Sequence, residues 1–138
     1  MKGVYILVLD IARRVKIRIG SLGEVFFIPG RYIYVGSGQN NVEKRIMRHF
    51  RKYKKIRWHI DYLLSSDSCK IIRAFIYPLD KEYECRISSL ALALGGIPIK
   101  RFGSSDCRCI SHLFKLKDPL ILEKRIKKLF MVKPISIY

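Results

Sequence analysis

The chain has 138 residues, of which 28 are Lys or Arg and 11 are Asp or Glu, so its formal net charge is +17. The length predicts one domain over residues 1–138, and an apolar fraction of 49% is enough for a packed core. No apolar run is long enough to cross a bilayer, and Lys2, Asp10 and Arg13 interrupt the first apolar stretch. We therefore expect no membrane association and no cleavable leader, and place the protein in the cytoplasm.

The basic excess predicts a polyanionic partner. A charge of this size attracts DNA or RNA through release of the counterions condensed on their phosphates. It does not separate a nuclease from a passive binder or from a ribosome-associated protein. Four cysteines in a chain expected to be intracellular leave three states open, namely reduced thiols, a metal site, or the disulfides that occur inside hyperthermophiles.

The N-terminal part of the chain predicts a strand followed by a hairpin. Residues 3–11 are strongly β-prone, and the segments VKIRIG and EVFFIPG then flank a turn at Ser21, Leu22 and Gly23. We expect this hairpin to extend the sheet. Contact with DNA through Lys16 and Arg18 is the alternative role.

Residues 31–49, RYIYVGSGQNNVEKRIMRH, predict a strand, a glycine turn and a helix. The alternation around Tyr34 indicates a strand that ends at Gly36, where glycines allow a sharp turn. Asn40 has the chemistry of a helix N-cap, and Glu43 follows at the spacing of a capping box. The expected apolar face of this helix consists of Val42, Ile46, Met47 and Phe50.

Arg45 and His49 are four residues apart on this predicted helix, so they lie on the same face, one turn apart. They are also close in sequence to Tyr34 at the end of the strand. A tyrosine beside a stacked arginine and histidine suits the binding of a phosphate. The alternative is a surface helix whose Arg45 and His49 are only solvated.

A basic run follows the helix. Such a run is usually a solvated face, but next to Arg45, in a chain of this charge, it favours contact with a nucleic-acid backbone. Contacts to phosphates carry no sequence information, so sequence-independent or structure-selective binding is the natural consequence. The residues of the run are Arg48, Arg51, Lys52, Lys54, Lys55 and Arg57.

The rest of the chain predicts alternating helices and strands. RWHIDYLL reads as a short helix in which His59 is partly buried and bonded to the backbone or to a carboxylate, with a proton carrier as the alternative. A strand over residues 69–78, a helix from Asp80, a strand HLFKLK and a last helix from Pro119 complete the pattern. The inward residues of the last helix are expected to be Leu122, Ile126, Leu129 and Phe130. The fold class is α/β (α+β), with a mostly antiparallel or mixed central sheet flanked by helices.

The triplets GVY at residues 3–5 and YVG at 34–36, with Arg45 and a later acidic helix, resemble the GIY-YIG nuclease family. The resemblance covers nearly the whole chain. Within the family, the chain is similar to an uncharacterised archaeal-type branch whose members are sometimes joined to endonuclease III repair glycosylases. It implies a small GIY-YIG-like domain with an added N-terminal hairpin. The motifs of this wider match are GSLG, GRYIYVGSG, RWHIDYLL, the pair Glu84 and Cys85, and FGSSDCRCISHLF.

The resemblance implies a metal-dependent DNA endonuclease that acts in repair or on branched DNA. Tyr5 would help to activate the attacking water, Tyr34 would orient water or phosphate, and Arg45 would clamp a phosphate oxygen. Glu84, with Glu82 in reserve, would hold one Mg²⁺ or Mn²⁺ ion. A phenol is a poor base at neutral pH, so the role of Tyr5 needs a pKa lowered by nearby cations. His49 titrates in a more useful range and can share the task.

Each of these assignments has a structural alternative. Glu84 can form a surface salt bridge with Arg73 or Lys81, and the two tyrosines can simply pack in the sheet. Many members of the family also carry a late asparagine, whereas the asparagines of this chain both precede the first helix. Substitutes for that asparagine are Ser104, Ser105 or Asp106.

Weak or absent activity is the other outcome, which leaves a non-catalytic nucleic-acid-binding module. DNA is the expected ligand and RNA the less favoured one. A DNA-repair enzyme as protein partner follows from the resemblance alone.

The cysteines offer a second chemistry. Cys107, Cys109 and His112, with Cys85 as a fourth ligand, have the ligand types of a structural zinc site, although their spacing is tighter than in common zinc fingers. The alternatives are buried thiols, or a disulfide from Cys85 to Cys107 or Cys109. In a further alternative, Asp106 and His112 reach the catalytic metal. Cys69 is expected to be an ordinary strand residue.

Overall fold

The computed structural model of the protein describes residues 1–105 and 107–138. Asp106, considered above as a substitute for the late asparagine and as a metal ligand, lies outside the described residues. None of the helices in the described part of the chain is long and apolar enough to cross a membrane.

Six strands form the main sheet in the order β6-β7-β4-β1-β5-β8, and each neighbouring pair is antiparallel. This confirms the predicted α+β class with a mostly antiparallel sheet and an added hairpin. The strands are β1 Gly3–Ile11, β2 Val15–Arg18, β3 Glu24–Phe27, β4 Gly30–Gly38, β5 Cys69–Tyr77, β6 Ile97–Pro98, β7 Leu113–Lys115 and β8 Ile135–Ser136. The helices are α1 Val42–Phe50, α2 His59–Leu64, α3 Tyr83–Ala93 and α4 Pro119–Phe130, with a 3₁₀ turn at Gly20–Leu22.

The central strand β1 is buried on both faces. Tyr5, Leu7 and Leu9 pack on the side of α1 and α2, whereas Val4 and Ile6 pack on the side of α3 and α4. This burial explains why the sequence of β1 is a continuous apolar run rather than an alternating one.

The hairpin β2–β3 exists as predicted, but the expectation that it extends the main sheet is wrong. It forms a separate two-stranded sheet, because both edges of β1 are already paired with β4 and β5. Its buried residues Ile19 and Phe27 join the core on the side of α1 and α2.

Helix α1 begins one residue later than predicted and buries only part of the predicted apolar face, Val42 and Ile46. Its N-cap is Asn41 rather than Asn40, since the Asn41 side chain accepts a hydrogen bond from the backbone N–H of Lys44 at 3.0 Å. Glu43 makes no capping box and instead binds the N-terminal amine at 3.0 Å. The predicted core residue Met47 is 58% exposed, and His49 is buried in the inward stripe with Val42 and Ile46.

Two other predicted core positions on helices are also exposed. Phe50 at the end of α1 is 37% exposed, and Leu129 on α4 is 54% exposed. On α4 the buried positions are Leu122 and Ile126, as predicted. A stripe inferred from sequence therefore identifies the middle of each inward face better than its margins.

Asp61 connects the start of α2 to α1. It is fully buried, and its carboxylate accepts two hydrogen bonds from the guanidinium of Arg48, at 2.9 and 3.0 Å. The backbone N–H groups of Arg57 and Trp58 donate to the same carboxylate at 2.9 and 3.1 Å. A buried charge with four donors fixes the segment that leads into α2.

We expect Asp61→Ala to lower the free energy of unfolding by about 3–5 kcal/mol, because the substitution leaves the Arg48 guanidinium without its buried partner. Urea unfolding measures this loss. Asp67→Ala, which removes a largely exposed carboxylate paired with Lys52, is the matched control and should change stability little. Equal losses in the two variants would contradict the structural role of Asp61.

Candidate active site

An open cleft of about 1250 Å³ runs between α1, the end of β4 and the start of α3. Eight of its lining residues are basic, and Glu84 is the only acid that lines it in the described part of the chain. Such a surface concentrates positive potential where a polyanion can enter. The basic residues of the lining are Lys44, Arg45, Arg48, Arg51, Lys54, Lys55, Arg57 and Lys81.

Tyr5 and Tyr34 come from neighbouring strands and both line the cleft. In the β1–β4 register Tyr5 pairs with Gly36 and Leu7 with Tyr34, which places the two phenol rings 6.3 Å apart between centroids. The ring of Tyr5 lies directly over Gly36, where any Cβ atom would collide with it. The glycine of the YVG triplet is thus required by the close approach of the tyrosine of the GVY triplet.

Behind Tyr5 lies His49, which is 2% exposed and does not line the cleft. The Tyr5 hydroxyl is hydrogen-bonded to Nε2 of His49 at 2.6 Å. Burial, followed by the charge of Lys54, lowers the pKa of His49 to about 3, so the ring is neutral at physiological pH. His49 therefore has no direct contact with the cleft and can act on a ligand there only through its hydrogen bond to Tyr5.

The expectation that nearby cations lower the pKa of Tyr5 is wrong. Burial raises the pKa of this phenol well above its usual value, Tyr34 adds to the rise, and the charge of Arg45 opposes it without overcoming it. Tyr5 is accordingly a neutral hydroxyl at physiological pH. It can donate to His49 and accept from a group in the cleft at the same time.

Arg45 is held in place from two sides. Its guanidinium lies over the ring of Trp58 at 4.4 Å and donates a hydrogen bond to the backbone carbonyl of Ser37. Arg48 lies over the same indole at 4.6 Å. Trp58 is half-buried and fixes the position of two arginines.

Glu84 lies in the first turn of α3 and reaches the end of β4. Its Oε2 accepts a hydrogen bond from the Ser37 hydroxyl at 2.5 Å, and its Oε1 is 3.2 Å from Nε2 of His112. The proposed alternative of a salt bridge with Arg73 is wrong, because Arg73 forms a bidentate pair with Glu123 at 2.7 and 2.8 Å. Lys81, the other candidate partner, lines the cleft.

The carboxylate of Glu84 is chemically suited to a hard divalent cation. Among the described residues each of its oxygens has one close polar neighbour, which leaves acceptor capacity on both for a metal whose other ligands are water and phosphate. The reserve candidate Glu82 is exposed and lies outside the lining of the cleft. The described residues thus bring Tyr5, Tyr34, Arg45 and Glu84 to one surface.

The predicted basic run is divided between the cleft and the outer surface. Arg48, Arg51, Lys54, Lys55 and Arg57 line the cleft, whereas Lys52 is paired with Asp67 at 2.7 Å outside it. Arg48 and Lys54 also hold the end of α1, by binding Asp61 and the carbonyls of residues 48 and 49 respectively. Sequence reasoning missed Lys44 and Lys81, because only the fold brings them to the rim.

The segment between β6 and β7 forms another wall of the cleft through Gly103 and Ser105. The backbone N–H of Gly103 donates to Nδ1 of His59 at 2.9 Å, which confirms the expected backbone bond of this histidine. Of the residues considered as substitutes for the late asparagine, Ser105 lines the cleft and Ser104 is buried.

Three of the four cysteines and one histidine lie close together beside the cleft, and we call them the Cys₃His cluster. The ligand atoms of Cys85, Cys107, Cys109 and His112 lie within 4.8 Å of one another, so the cluster can hold a metal ion. Cys85 and Cys109 form a disulfide in the structure, which was one of the predicted alternatives. Cys69 is buried in β5, as expected, and burial raises the pKa of its thiol to about 12.

Comparison with known proteins gives a family without an assigned function. No curated protein and no solved structure matches the chain. One family model, described as a domain of unknown function, DUF123, matches residues 4–133, which is nearly the whole sequence. The chain therefore belongs to the DUF123 family.

Proposed function

We propose that the protein is a metal-dependent DNA endonuclease that hydrolyses phosphodiester bonds in this cleft, in DNA repair or in the processing of branched DNA. The observation that carries the proposal is the convergence of Tyr5, Tyr34, Arg45 and Glu84, from four different elements, on a cleft whose described lining residues include one carboxylate and eight cations. This convergence is what the resemblance to GIY-YIG nucleases requires.

Arg45 is the proposed phosphate clamp. Trp58 supports one face of its guanidinium, and the Ser37 carbonyl accepts from only one of its nitrogens, Nη1. The other N–H donors of the fork remain for non-bridging phosphate oxygens. A clamp that is held before the substrate arrives loses little freedom on binding, which favours both affinity and alignment.

Water activation is assigned to Tyr5 and His49 together. A water in the cleft gives a proton to the hydroxyl oxygen of Tyr5 as Tyr5 passes its own proton to Nε2 of His49. Because the phenol never becomes a free phenolate, its raised pKa is compatible with this role. The phosphate anion of the substrate offsets part of the positive charge that depresses the pKa of His49, so proton acceptance becomes easier once DNA is bound.

Glu84 is the proposed ligand of one Mg²⁺ or Mn²⁺ ion. When bound, such an ion supplies a Lewis acid that stabilises the charge on the leaving oxygen. The Ser37 hydroxyl orients the carboxylate through Oε2. Once the Cys85–Cys109 disulfide is reduced, the Cys₃His cluster offers thiolate and imidazole donors, which suit zinc rather than magnesium, so we assign it a structural zinc ion with no part in hydrolysis.

The basic rim of the cleft is proposed to follow the DNA backbone. Arg51, Lys55 and Arg57 make no ion pair with any described residue, so their charges are available to phosphates. Contacts of this kind give affinity without base readout. The preferred substrate is then set by DNA shape, as expected for a repair or branch-processing nuclease, with a separate repair enzyme as the partner suggested by the resemblance.

A non-catalytic nucleic-acid-binding module is the second candidate. It is favoured by the raised pKa of Tyr5 and by the two contacts of the Glu84 carboxylate, which is bonded to Ser37 and lies beside His112. A binder needs only the cationic cleft. Cleavage assays separate the two candidates, and competition between DNA and RNA at fixed salt identifies the ligand.

Purified protein with Mg²⁺ or Mn²⁺ should cleave plasmid or branched DNA, and Glu84→Gln and Arg45→Ala should each lower the rate by at least about 10²-fold. Glu84→Gln should still bind DNA, since the change removes a negative charge from a cationic cleft. Glu82→Gln, at the start of the same helix but outside the cleft, is the matched control and should retain full activity. Equal nicking by wild type and both variants would indicate a contaminant and leave the binding module standing.

Tyr5→Phe should reduce the cleavage rate by roughly 10²–10⁴-fold with little effect on DNA affinity, because it interrupts proton transfer to His49. Tyr77→Phe is the matched control, since Tyr77 is a buried strand tyrosine whose hydroxyl has no hydrogen-bond partner among the described residues. Single-turnover rates measure the effect. Full activity of Tyr5→Phe would exclude the proposed path of the proton.

Arg51→Ala, Lys55→Ala and Arg57→Ala should each reduce the slope of log affinity against log salt by about 1, because each removes one phosphate contact. Fluorescence anisotropy with labelled DNA at several salt concentrations measures the slope. Lys124→Ala and Lys128→Ala on α4, which are exposed but lie outside the cleft, serve as controls of equal charge. If the control variants changed the slope as much, the cleft would not be the DNA-binding surface.

A further inference from the structure

The Cys₃His cluster lies next to the cleft without sharing any residue with its lining. Cys85 directly follows Glu84 on α3, whereas the other three ligands belong to the segment between β6 and β7. The cluster therefore connects a helix to a segment distant in sequence. That segment includes Gly103 and Ser105, which form one wall of the cleft.

We propose that in the reduced protein Cys85, Cys107, Cys109 and His112 bind one Zn²⁺ in a closed tetrahedral site that anchors this wall to α3. The proposal deepens the zinc assignment above but does not depend on nuclease activity. Zinc lies about 2.3 Å from thiolate sulfur and roughly 2.0–2.1 Å from imidazole nitrogen, so tetrahedral ligand atoms lie roughly 3.5–3.8 Å apart. After reduction the sulfurs of Cys85 and Cys109 must therefore separate, and the most distant ligand atoms must approach one another. The ligand atoms are already within 4.8 Å of one another, so small side-chain movements complete the shell.

The hydrogen bonds around His112 prepare it as a zinc ligand. Ser88 has one hydroxyl proton and donates it to the backbone carbonyl of Glu84 at 3.0 Å. Its Oγ, 2.7 Å from Nδ1 of His112, therefore accepts a hydrogen bond from the N–H at that nitrogen. In the neutral imidazole that zinc requires, the lone pair is then on Nε2, which faces Cys107 Sγ at 3.2 Å.

The surroundings of Nε2 favour a cation at this point. Glu84 Oε1 and Cys107 Sγ both lie 3.2 Å from Nε2, so three electron-rich atoms meet there. A metal cation bound by Nε2 and the Cys107 thiolate would attract all three atoms and so remove their mutual repulsion. The outer partner of the zinc-bound imidazole is Ser88, which is hydrogen-bonded to the other ring nitrogen, Nδ1, whereas the Glu84 carboxylate lies on the zinc side of the ring and is attracted to the bound cation.

The sulfur atoms of Cys85 and Cys109 can either form the disulfide or bind zinc, but they cannot do both at once. A dithiol reductant converts the Cys85–Cys109 disulfide into two thiols and is itself oxidised to a disulfide, in a two-electron step. Zinc then displaces one proton from each of the three thiols. Cys107 takes part only in the zinc state, because it is free in the disulfide form.

The segment gains a fixed position from this site. Backbone hydrogen bonds already hold the base of the segment, from the Arg101 N–H to the Ile110 carbonyl at 2.7 Å and from the His112 N–H to the Phe102 carbonyl at 2.8 Å. The zinc site adds a fixed point between them, at Cys107 and Cys109. Arg108 lies between two of the ligands and is exposed. Zinc binding should therefore protect Arg108 from trypsin, since the protease needs an extended segment to bind.

The experiment uses full-length protein reduced with dithiothreitol under argon, loaded with ZnCl₂ and freed of excess metal. Atomic absorption should give one zinc per chain in wild type and in Cys69→Ser, the matched control. Cys107→Ser should lose most of the zinc. Retention of zinc by Cys107→Ser, or its absence from wild type, would overturn the proposal.

A second measurement on wild type avoids dependence on variants that fold poorly. Loading with Co²⁺ should produce thiolate charge-transfer absorption together with the intense visible bands of tetrahedral cobalt, and zinc should remove both. Trypsin should cut at Arg108 more slowly with zinc than after chelation, with dithiothreitol present in both samples. Octahedral cobalt spectra, or equal cleavage in the two samples, would contradict the closed site.

Discussion

The candidate site depends on one residue at the end of β4. Ser37 accepts a hydrogen bond from Arg45 through its carbonyl and donates one to Glu84 through its hydroxyl. The guanidinium comes from α1 and the carboxylate from α3, so a single buried serine fixes the separation of a cation and an anion that are distant in sequence. Glycines on either side allow this close approach, since Tyr5 crosses Gly36 and the backbone of Val42 packs on Gly38.

A second constraint is the burial of a polar pair in the core face of α1. His49 occupies a position on the buried face of α1, where an apolar side chain is usual. Its Nδ1 has no hydrogen-bond partner among the described residues. Such a group lowers stability. Its cost is consistent with a functional role for the Tyr5–His49 pair, because burial keeps the imidazole neutral, and Nε2 of this ring is hydrogen-bonded to the Tyr5 hydroxyl.

Local sequence patterns predicted the helices and strands better than the tertiary contacts that these elements make. Strand β1, helix α2 and the body of α3 follow from short-range signals, and so does the shared face of Arg45 and His49. Helix α3 begins at Tyr83 rather than at the predicted Asp80. The position of the hairpin β2–β3 depends on which strand edges remain open, which no local signal contains. The raised pKa of Tyr5 has the same origin, since the number of cations can be counted in the sequence, whereas the burial that outweighs them cannot.

The adjacency of Glu84 and Cys85 links the two chemistries of the molecule. Consecutive residues on a helix point about 100° apart, so one side chain of this pair faces the cleft while the next faces the Cys₃His cluster. His112 connects the cleft to the cluster, because its Nε2 contacts both Glu84 and Cys107. An ion bound by the cluster would therefore lie next to the imidazole that contacts Glu84, the only acid that lines the cleft among the described residues.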